Sequence, residues 1–310
     1  MASLKEIKSR IASVKNTLKI TSAMKMVASA KLHKAQTAIG NKLPYEQKLY
    51  HMLSGMLLDD DLQKALHSEL GFGDNNSPLA LQDVSADSLP VKENVSRVAI
   101  VVFSSCSSLI GAFNANIIKK LNETLTQLHA AGYEKADIDL YTVGRKVAEA
   151  VRRDGHEPFM DLPELSEKPD YVKASKLAEN LVHRFASEEV GQVILLYNHF
   201  ASMSSQQPVR ENYLPMVLHD YSETAEPVDY ILEPDPISLV KELLPLVLYL
   251  KIYTVSLDAS AAEHAARTVA MQVASDNAQD LISELTLSYN KGRQQEITAE
   301  ILDLVGGLQS

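Results

Sequence analysis

The first residues of the chain carry apolar side chains at spacings that alternate between three and four. The series is Leu4, Ile7, Ile11, Val14 and Leu18. This is the a/d pattern of a coiled-coil helix, in which one apolar stripe faces one partner. After Thr21 the stripe weakens into Met24, Val27 and Ala30. Helix-forming residues continue to Leu57, with Pro44 as the only obvious break. The pattern predicts a helix of about 54 residues and roughly 80 Å.

A second heptad pattern occupies the C-terminal segment Ile237–Val305. Its a positions are Val247, Thr254, Ala261, Thr268, Ser275, Ile282 and Tyr289, and its d positions are Leu250, Leu257, His264, Met271, Ala278, Leu285 and Gly292. Nine of these fourteen residues are apolar and most of the others are small. Because small side chains allow two helices to approach closely, the pattern predicts a slender, stiff two-helix rod.

The two terminal segments carry opposite charge. Residues 1–42 contain nine basic residues and one acid, for a net charge of +8, whereas residues 237–305 contain five basic and nine acidic residues, for −4. The whole chain has a net charge of −10, so the basic arm belongs to an otherwise acidic protein. An acidic partner, an acidic part of the same chain or a polyanion would suit such an arm. We expect the two terminal helices to pair antiparallel, since a compact central domain brings their inner ends together.

The central part of the chain changes pattern twice. Residues 59–96 are polar and rich in Gly, Asn and Pro, which is typical of a linker or surface insertion. Beyond them, buried strands alternate with helices. The strands are predicted at Val98–Phe103, Ile138–Val143, Gln192–Tyr197 and near Tyr213–Leu218, and the helices at about 114–130, from Gly144, and at about 171–187. This alternation predicts a mostly parallel sheet covered by helices.

The predicted fold is therefore α/β: a long antiparallel two-helix coiled coil, with a Rossmann-like α/β domain inserted between its helices. We assign residues 1–58 to the first coiled-coil helix, 59–96 to the insertion, 97–235 to the α/β domain and 236–310 to the last helix. The longest uninterrupted apolar stretch, Leu243–Leu250, contains Pro245 and is far shorter than the roughly 18 residues of a membrane span. We expect no crossing of a membrane.

The chain lacks the motifs of nucleotide and metal chemistry. The loop Ser104–Gly111 after the first strand has one glycine, and neither G-x-G-x-x-G nor G-x-x-x-x-G-K-[ST] occurs. No H-E-x-x-H is present, and His264 is expected to be a seam or surface residue. The single cysteine, Cys106, excludes a disulfide framework and is expected to be a buried structural thiol rather than a nucleophile. We expect no catalytic residue, cofactor or metal.

Charge alone leaves another function open for the N-terminal helix. A basic helix also suits nucleic acid or an anionic membrane surface. The regular a/d stripe argues against this, because it already commits the apolar face to a protein partner. An α/β enzyme whose coiled-coil arm grips RNA, and a static scaffold, remain as competing hypotheses.

Both ends of the chain resemble one family. The N-terminal segments are residues 4–11, 13–17, 19–21 and 23–28, and the C-terminal ones are 263–267, 276–278, 289–291, 293–294, 297–298, 300–301 and 305–307. In this order they are similar to the signature of the gamma subunit of F-type ATP synthases. The loop Ser105–Gly111 departs from the family's usual S-D-R-G-L-C-G, with Ile110 in place of the cysteine, and the 59–96 insertion is longer than usual.

The resemblance implies a non-catalytic rotor shaft of a proton-driven ATP synthase. Its implied partners are the alpha and beta subunits of the F1 ring, the epsilon subunit and a membrane ring of c subunits, and no nucleic acid. The implied location is peripheral, on the cytoplasmic face of a bacterial inner membrane or the matrix face in a mitochondrion. The family's contact with an acidic loop of beta maps to Met24, Lys25, Arg293, Gln294 and Thr298. Its foot near the c ring maps to Tyr230 and Glu233.

Overall fold

A computed structural model describes residues 3–56, 79–80, 97–217 and 233–307. The chain divides into two compact units. The first consists of the residues up to Ala30 together with those from Arg267 onward, and the second is Lys31–Ala266. Most of the predicted 59–96 insertion and the foot residue Tyr230 lie outside the described residues.

The N-terminal helix, α1, spans Leu4–Met56. A capping box starts it: the Ser3 N–H donates to Glu6 Oε2 at 3.0 Å, and the Glu6 N–H donates to Ser3 Oγ at 3.3 Å. These bonds satisfy two backbone donors that the helix itself leaves unpaired. The helix continues through Pro44, where the sequence indicated a break. The buried residues that follow it, such as Leu49 and Leu53, pack into the core of the second unit and stabilise the helix there.

The first unit is an antiparallel pair formed by α1 and the C-terminal helix, α6, which spans Pro236–Gly307. Two contacts fix its direction and register. Thr21 Oγ1 and Ser275 Oγ are 2.8 Å apart in a buried hydrogen bond. Nearer the N-terminus, a Cβ added to Gly292 would lie 2.9 Å from Leu4 Cδ2. As residue numbers rise along α1 they fall along α6, which confirms the predicted antiparallel coiled coil.

The seam on α6 follows the predicted heptad. Its buried residues in this unit are Thr268, Met271, Ser275, Ala278 and Ile282, all at predicted a or d positions. On α1 the stripe passes through Thr21 and Ala28, which are buried, instead of Val27 and Ala30. Val27 is 58% exposed, so the prediction for these two positions was wrong. In an alanine-rich stretch the strict heptad phase decides which residue is buried, and hydrophobicity does not reveal that phase.

The second unit contains the sheet and the shorter helices. Its strands are β1 (Leu79–Ala80), β2 (Val98–Phe103), β3 (Ile138–Val143), β4 (Met160–Asp161), β5 (Gln192–Phe200), β6 (Gln206–Leu214) and β7 (Met216–Val217). Its remaining helices are α2 (Phe113–Ala130), α3 (Arg145–Arg153), α4 (Pro163–Glu167) and α5 (Tyr171–Ala186), and a short 3-10 turn covers Lys135–Asp137.

The main sheet has the order β4-β3-β2-β5-β6, with β6 antiparallel to β5 and the other pairs parallel. The mostly parallel α/β sheet is thus confirmed, and β2 and β3 have the predicted bounds. The fourth predicted strand, Tyr213–Leu218, covers the end of β6 and the short β7, but the prediction missed β6 from Gln206 to Asn212. Its polar sequence and Pro208 concealed it, since a strand of this kind is recognised only from its place at an edge of the sheet.

The sheet separates two apolar layers. Alternate residues of β2 point to opposite faces: Val98, Ile100 and Val102 pack with α2 and α3, whereas Ala99, Val101 and Phe103 pack with α1, α5 and α6. On this second face the buried Tyr213 O–H donates to the Leu248 carbonyl oxygen at 3.0 Å, so β6 holds α6 by a polar bond as well as by packing. Both long helices are therefore part of the core of this unit.

One described helix, α6, is long and apolar enough to cross a membrane by length and composition. However, 61% of its most apolar window is buried inside the protein. Burial against the sheet accounts for this apolar character, as in the core helix of a globular domain.

The close approach at the coiled-coil seam leads to a stability prediction. Replacing Ser275 by Leu inserts a large side chain opposite Thr21, and overpacking of this kind typically costs about 1–3 kcal/mol. The exposed Ser283, two turns further along the same helix, provides the matched control. We expect Ser275→Leu to lower the unfolding midpoint in circular dichroism and Ser283→Leu to leave it nearly unchanged. Equal effects of the two substitutions would contradict a tight seam.

Candidate functional site

The loop after β2 is the place where an α/β sheet of this type would hold a phosphate, and here its polar groups bind other parts of the same unit. Ser104 Oγ accepts the Val147 N–H at 3.1 Å, inside the first turn of α3. The Ser105 carbonyl oxygen accepts the Lys146 N–H at 3.1 Å, and the Ser104 carbonyl oxygen accepts the Ser166 hydroxyl at 2.6 Å. These bonds join the end of β2 to the start of α3 and to α4.

Gly144, at the start of α3, permits this arrangement. Its φ is +113°, and a Cβ placed there would lie 2.2 Å from the Ser104 carbonyl oxygen. In a phosphate-binding loop, glycine lets the backbone come close to the ligand. Here Gly144 instead lets the backbone come close to the protein's own loop at Ser104. In the same loop Cys106 is half-buried, not fully buried as predicted, and its thiol donates to the Pro163 carbonyl oxygen at 3.4 Å.

A buried arginine, which the sequence pattern did not single out, lies on the opposite side of the same domain core. The Arg184 side chain is 8% exposed, and it donates to Asp139 at 2.7 Å, to Glu189 at 2.8 Å and to the Tyr141 hydroxyl at 2.8 Å. Burial alone would lower the pKa of Arg184, but its hydrogen bonds to Glu189, Tyr141 and Asp139 outweigh this and raise it. The guanidinium also lies 4.2 Å from the centre of the Phe159 ring. With every partner supplied internally, Arg184 stabilises the domain.

No group of three or more His, Cys, Asp and Glu residues that could hold a metal ion occurs among the described residues. His264 is a half-buried d residue of α6. The polar networks around Ser104 and Arg184 in the second unit are thus structural, and the five predicted beta-contact residues lie in the first unit.

Met24 and Lys25 are both half-buried beside the coiled-coil seam, at the level of the buried Thr21. The residues that follow them are open to solvent: Met26 is 67% exposed and Val27 is 58% exposed. Apolar side chains exposed next to a lysine form a surface suited to a protein partner with an apolar and acidic face.

Arg293, Gln294 and Thr298 are exposed on α6, and the Thr298 hydroxyl donates to the Gln294 carbonyl oxygen at 2.8 Å. Since Gly292 already faces Leu4 at the start of α1, the residues after it extend beyond the end of the partner helix. All side chains from 293 to 302 are exposed, including the apolar Ile297, Ile301 and Leu302. We call residues 293–302 the single-helix segment.

The structure separates the five predicted beta-contact residues into two groups. Met24 lies near Thr21, which faces Ser275, whereas Arg293 adjoins Gly292, which faces Leu4. About 20 residues of helix separate these levels, or roughly 30 Å at 1.5 Å per residue. The five residues therefore lie at two levels along the coiled coil. Of the predicted foot, Glu233 is exposed and Tyr230 lies outside the described residues.

Comparisons with known proteins agree with this architecture. A sequence profile of the family described as ATP synthase matches residues 3–310. The ATP synthase gamma chain of Phocaeicola vulgatus is 51% identical over 310 residues, covering 99% of each chain, and that of Bacteroides thetaiotaomicron is 48% identical over 319 residues, again covering 99% of each. Among solved structures, a chain of the Euglena gracilis mitochondrial ATP synthase OSCP/F1/c-ring assembly aligns with a TM-score of 0.66 and 18% identity, covering 99% of this chain and 93% of its own.

The packing at Gly144 leads to a sharp prediction. Gly144→Ala forces a Cβ into the Ser104 carbonyl and places alanine at a positive φ, so we expect strong destabilisation or loss of the folded domain. Gly40 is the matched control, because it lies within α1 with nothing within 4 Å of an added Cβ. Gly40→Ala should stabilise the helix by about 1 kcal/mol. Unfolding of both variants, measured against the parent chain, tests whether the loop is a packing element.

Proposed function

The chain belongs to the gamma-chain family of ATP synthases, and we propose that it is the central rotor shaft of a proton-driven F-type enzyme. In this role it couples rotation of the membrane c ring to conformational cycling of the catalytic alpha and beta subunits, and it is itself non-catalytic. The observation that carries the proposal is the antiparallel two-helix unit that ends in the exposed single-helix segment 293–302. Three apolar side chains exposed along one helix end, Ile297, Ile301 and Leu302, suit contact with a surrounding protein surface.

The seam gives the shaft its torsional stiffness. Small residues such as Ala28, Ser275 and Ala278 are buried between the helices, so the two backbones lie close together. Closely packed interiors resist deformation, because sliding or twisting one helix against the other breaks many contacts at once. Torque applied at one end of such a pair is therefore transmitted to the other end with little internal deformation.

The two helices differ in charge, so the sides of the shaft are not equivalent. The N-terminal segment is strongly basic and the C-terminal segment is acidic. As such a shaft turns within a ring, each catalytic subunit meets a different surface in turn. A surface that binds one conformation of a subunit better than another shifts the equilibrium between them, which couples rotation to nucleotide affinity.

We assign the contacts with beta to two surfaces. Met24 and Lys25, with the exposed Met26 and Val27 beside them, form the first. Arg293, Gln294 and Thr298 in the single-helix segment form the second. The basic side chains Lys25 and Arg293 suit an acidic loop of beta, as the resemblance implies.

The remaining partners follow from the same assignment. Tyr230 and Glu233 form the foot near the c ring, the epsilon subunit binds the same stalk, and nucleic acid has no part in the function. The chain is peripheral to the membrane through the complex, on the cytoplasmic face of a bacterial inner membrane. We propose the domain boundaries given above, with the α/β domain at 97–235 between the two long helices.

An α/β enzyme with an RNA-binding arm is not supported. Such an enzyme would need its β2 loop for a ligand, and Ser104 and Ser105 are engaged with α3 and α4 instead. The 51% identical relative is an ATP synthase gamma chain along the full length of both chains.

Affinity isolation of the tagged chain from its native membrane tests the assignment directly. We expect the alpha, beta, epsilon and c subunits to co-purify, and the purified chain alone to hydrolyse no ATP. Adding the chain to an alpha-beta ring should produce directional rotation. Robust ATP hydrolysis by the isolated chain would end the proposal.

Met24→Lys separates a rotor from a static scaffold. A second positive charge beside Lys25 changes the surface that meets the acidic loop, so we expect the complex to assemble while proton pumping per ATP hydrolysed falls. Asn122→Lys, which adds the same charge at an exposed position of α2, is the control and should leave coupling unchanged. A scaffold that does not move would tolerate both substitutions equally.

A further inference from the structure

Glu46 is a buried carboxyl group that neither the fold nor the proposed function requires. It lies on α1, within the second unit, and is 4% exposed. Its neighbours along the helix, Pro44, Tyr45, Gln47 and Lys48, are all exposed. The rotation of the helix therefore points this one acid towards the protein interior.

The groups that face Glu46 come from three other elements. Lys251 and Thr254 lie on α6, Glu211 on β6 and, beyond Glu211, Tyr197 on β5. Lys251 Nζ is 2.6 Å from Glu211 Oε1, and the Tyr197 hydroxyl donates to Glu211 Oε2 at 3.0 Å. Both oxygens of the Glu211 carboxylate thus have a partner.

The same arrangement leaves one oxygen of the Glu46 carboxyl group, Oε2, without a hydrogen-bond partner among the described residues. Among the described residues, neither Glu46 Oε2 nor Thr254 Oγ1 has a hydrogen-bond partner of ordinary geometry. The cluster has two carboxyl groups for one ammonium group, and Lys251 already pairs with Glu211. An ionised Glu46 would therefore be a surplus buried negative charge, which is costly.

Lys251 cannot remove the surplus by losing its own proton. Burial would lower the pKa of Lys251, but the neighbouring Glu211, Glu46 and Tyr197 outweigh burial and raise it. The ammonium group therefore stays charged. Both oxygens of Glu211 are paired and Glu46 Oε2 is not, so Glu46 is the carboxyl group placed to restore neutrality by binding a proton.

We propose that Glu46 takes up a proton when α1 packs into the second unit, so that this packing is linked to pH. The protonated carboxyl is neutral, so the cluster then holds only the single charge pair Lys251–Glu211. The proposal concerns the folding of this unit and does not rest on the rotor function.

The direction of the effect follows from the group's surroundings. Burial raises the pKa of Glu46 above its ordinary value of 4.5, and this exceeds the opposing influence of Lys251 and Thr254, while Glu211 adds to the rise. A carboxyl whose pKa is raised in the folded state stabilises the fold fully below 4.5 and loses this contribution as pH rises through the folded-state pKa. Exposed acids such as Glu189, whose pKa is lowered by its hydrogen bond with Arg184, act in the opposite sense.

The test compares Glu46→Gln with the parent chain across the range from about pH 5 to pH 8, where ordinary carboxyl groups are ionised. Glutamine is isosteric with the protonated acid and does not titrate. We expect the unfolding midpoint of Glu46→Gln to exceed that of the parent by an amount that grows as pH rises. Glu242→Gln, at an exposed acid of α6, should show a difference that is small and constant.

A spectroscopic measurement detects the proton itself. The carbonyl stretch of a protonated carboxyl should be present in the infrared spectrum of the folded parent chain, disappear as pH rises, and be absent from Glu46→Gln. A midpoint difference that does not vary with pH, together with no such band, would overturn the proposal.

A second variant keeps the test decisive if Glu46→Gln does not fold. Thr254→Val removes a hydroxyl that stabilises the ionised form of Glu46 while preserving shape. We expect the carbonyl band of this variant to persist to higher pH than that of the parent. An unchanged or lower transition would contradict the assignment of the proton to Glu46.

Discussion

The structure of the first unit depends on how closely two helices can approach. At Thr21 and Ser275 the seam is narrow enough for two short hydroxyl side chains to reach each other, and at Gly292 the absence of a Cβ leaves room for Leu4. A single larger side chain at any of these places would separate the backbones. Because the buried residues recur every three and four positions, the same constraint applies along the whole seam and sets the register of the pair.

The second unit meets a different constraint, which is that buried charge must be balanced. Arg184 satisfies it completely, with carboxylates, a hydroxyl and an aromatic ring around one guanidinium. The charge of Lys251 is balanced by Glu211, so the second carboxyl group of the cluster, Glu46, has no cation of its own. Both clusters lie where helices meet the sheet, so the polar interactions fix which residues of α1, α5 and α6 face the strands, while the apolar layers provide most of the stabilisation.

The sequence predicted those features that local periodicity determines. The buried residues of α6 in the first unit lie at predicted a or d positions, and the segments 98–103 and 138–143 proved to be strands with the predicted bounds. Periodicity failed where side chains are uniform or polar, as at Val27 and Ala28 or along Gln206–Leu214. The break predicted at Pro44 rested on the local preference of proline, whereas packing of the following turns against the core keeps the helix continuous there.

Prediction of the site was limited in another way. The resemblance supplied five predicted contact residues, but their separation into two levels follows only once the register is known, because Met24 and Arg293 belong to different helices. Glu46 could not be recognised in advance, since its position shows only that it is an acid in a helix. Its significance comes from Lys251, Thr254 and Glu211, which are distant in sequence and are brought to it by the fold.

The single-helix segment shows why this fold is complete only in an assembly. Residues 293–302 continue an existing helix, so they incur no cost of nucleation, yet they bury no apolar face of their own. A helix held only by propensity gains little free energy per residue, and Ile297, Ile301 and Leu302 would remain in water. Enclosing this segment within a ring removes those side chains from solvent and adds the tertiary packing that a second helix provides further along. In the proposed role, the contacts of this segment with the ring also stabilise the end of α6, because they supply at that level the packing that α1 provides further along the helix.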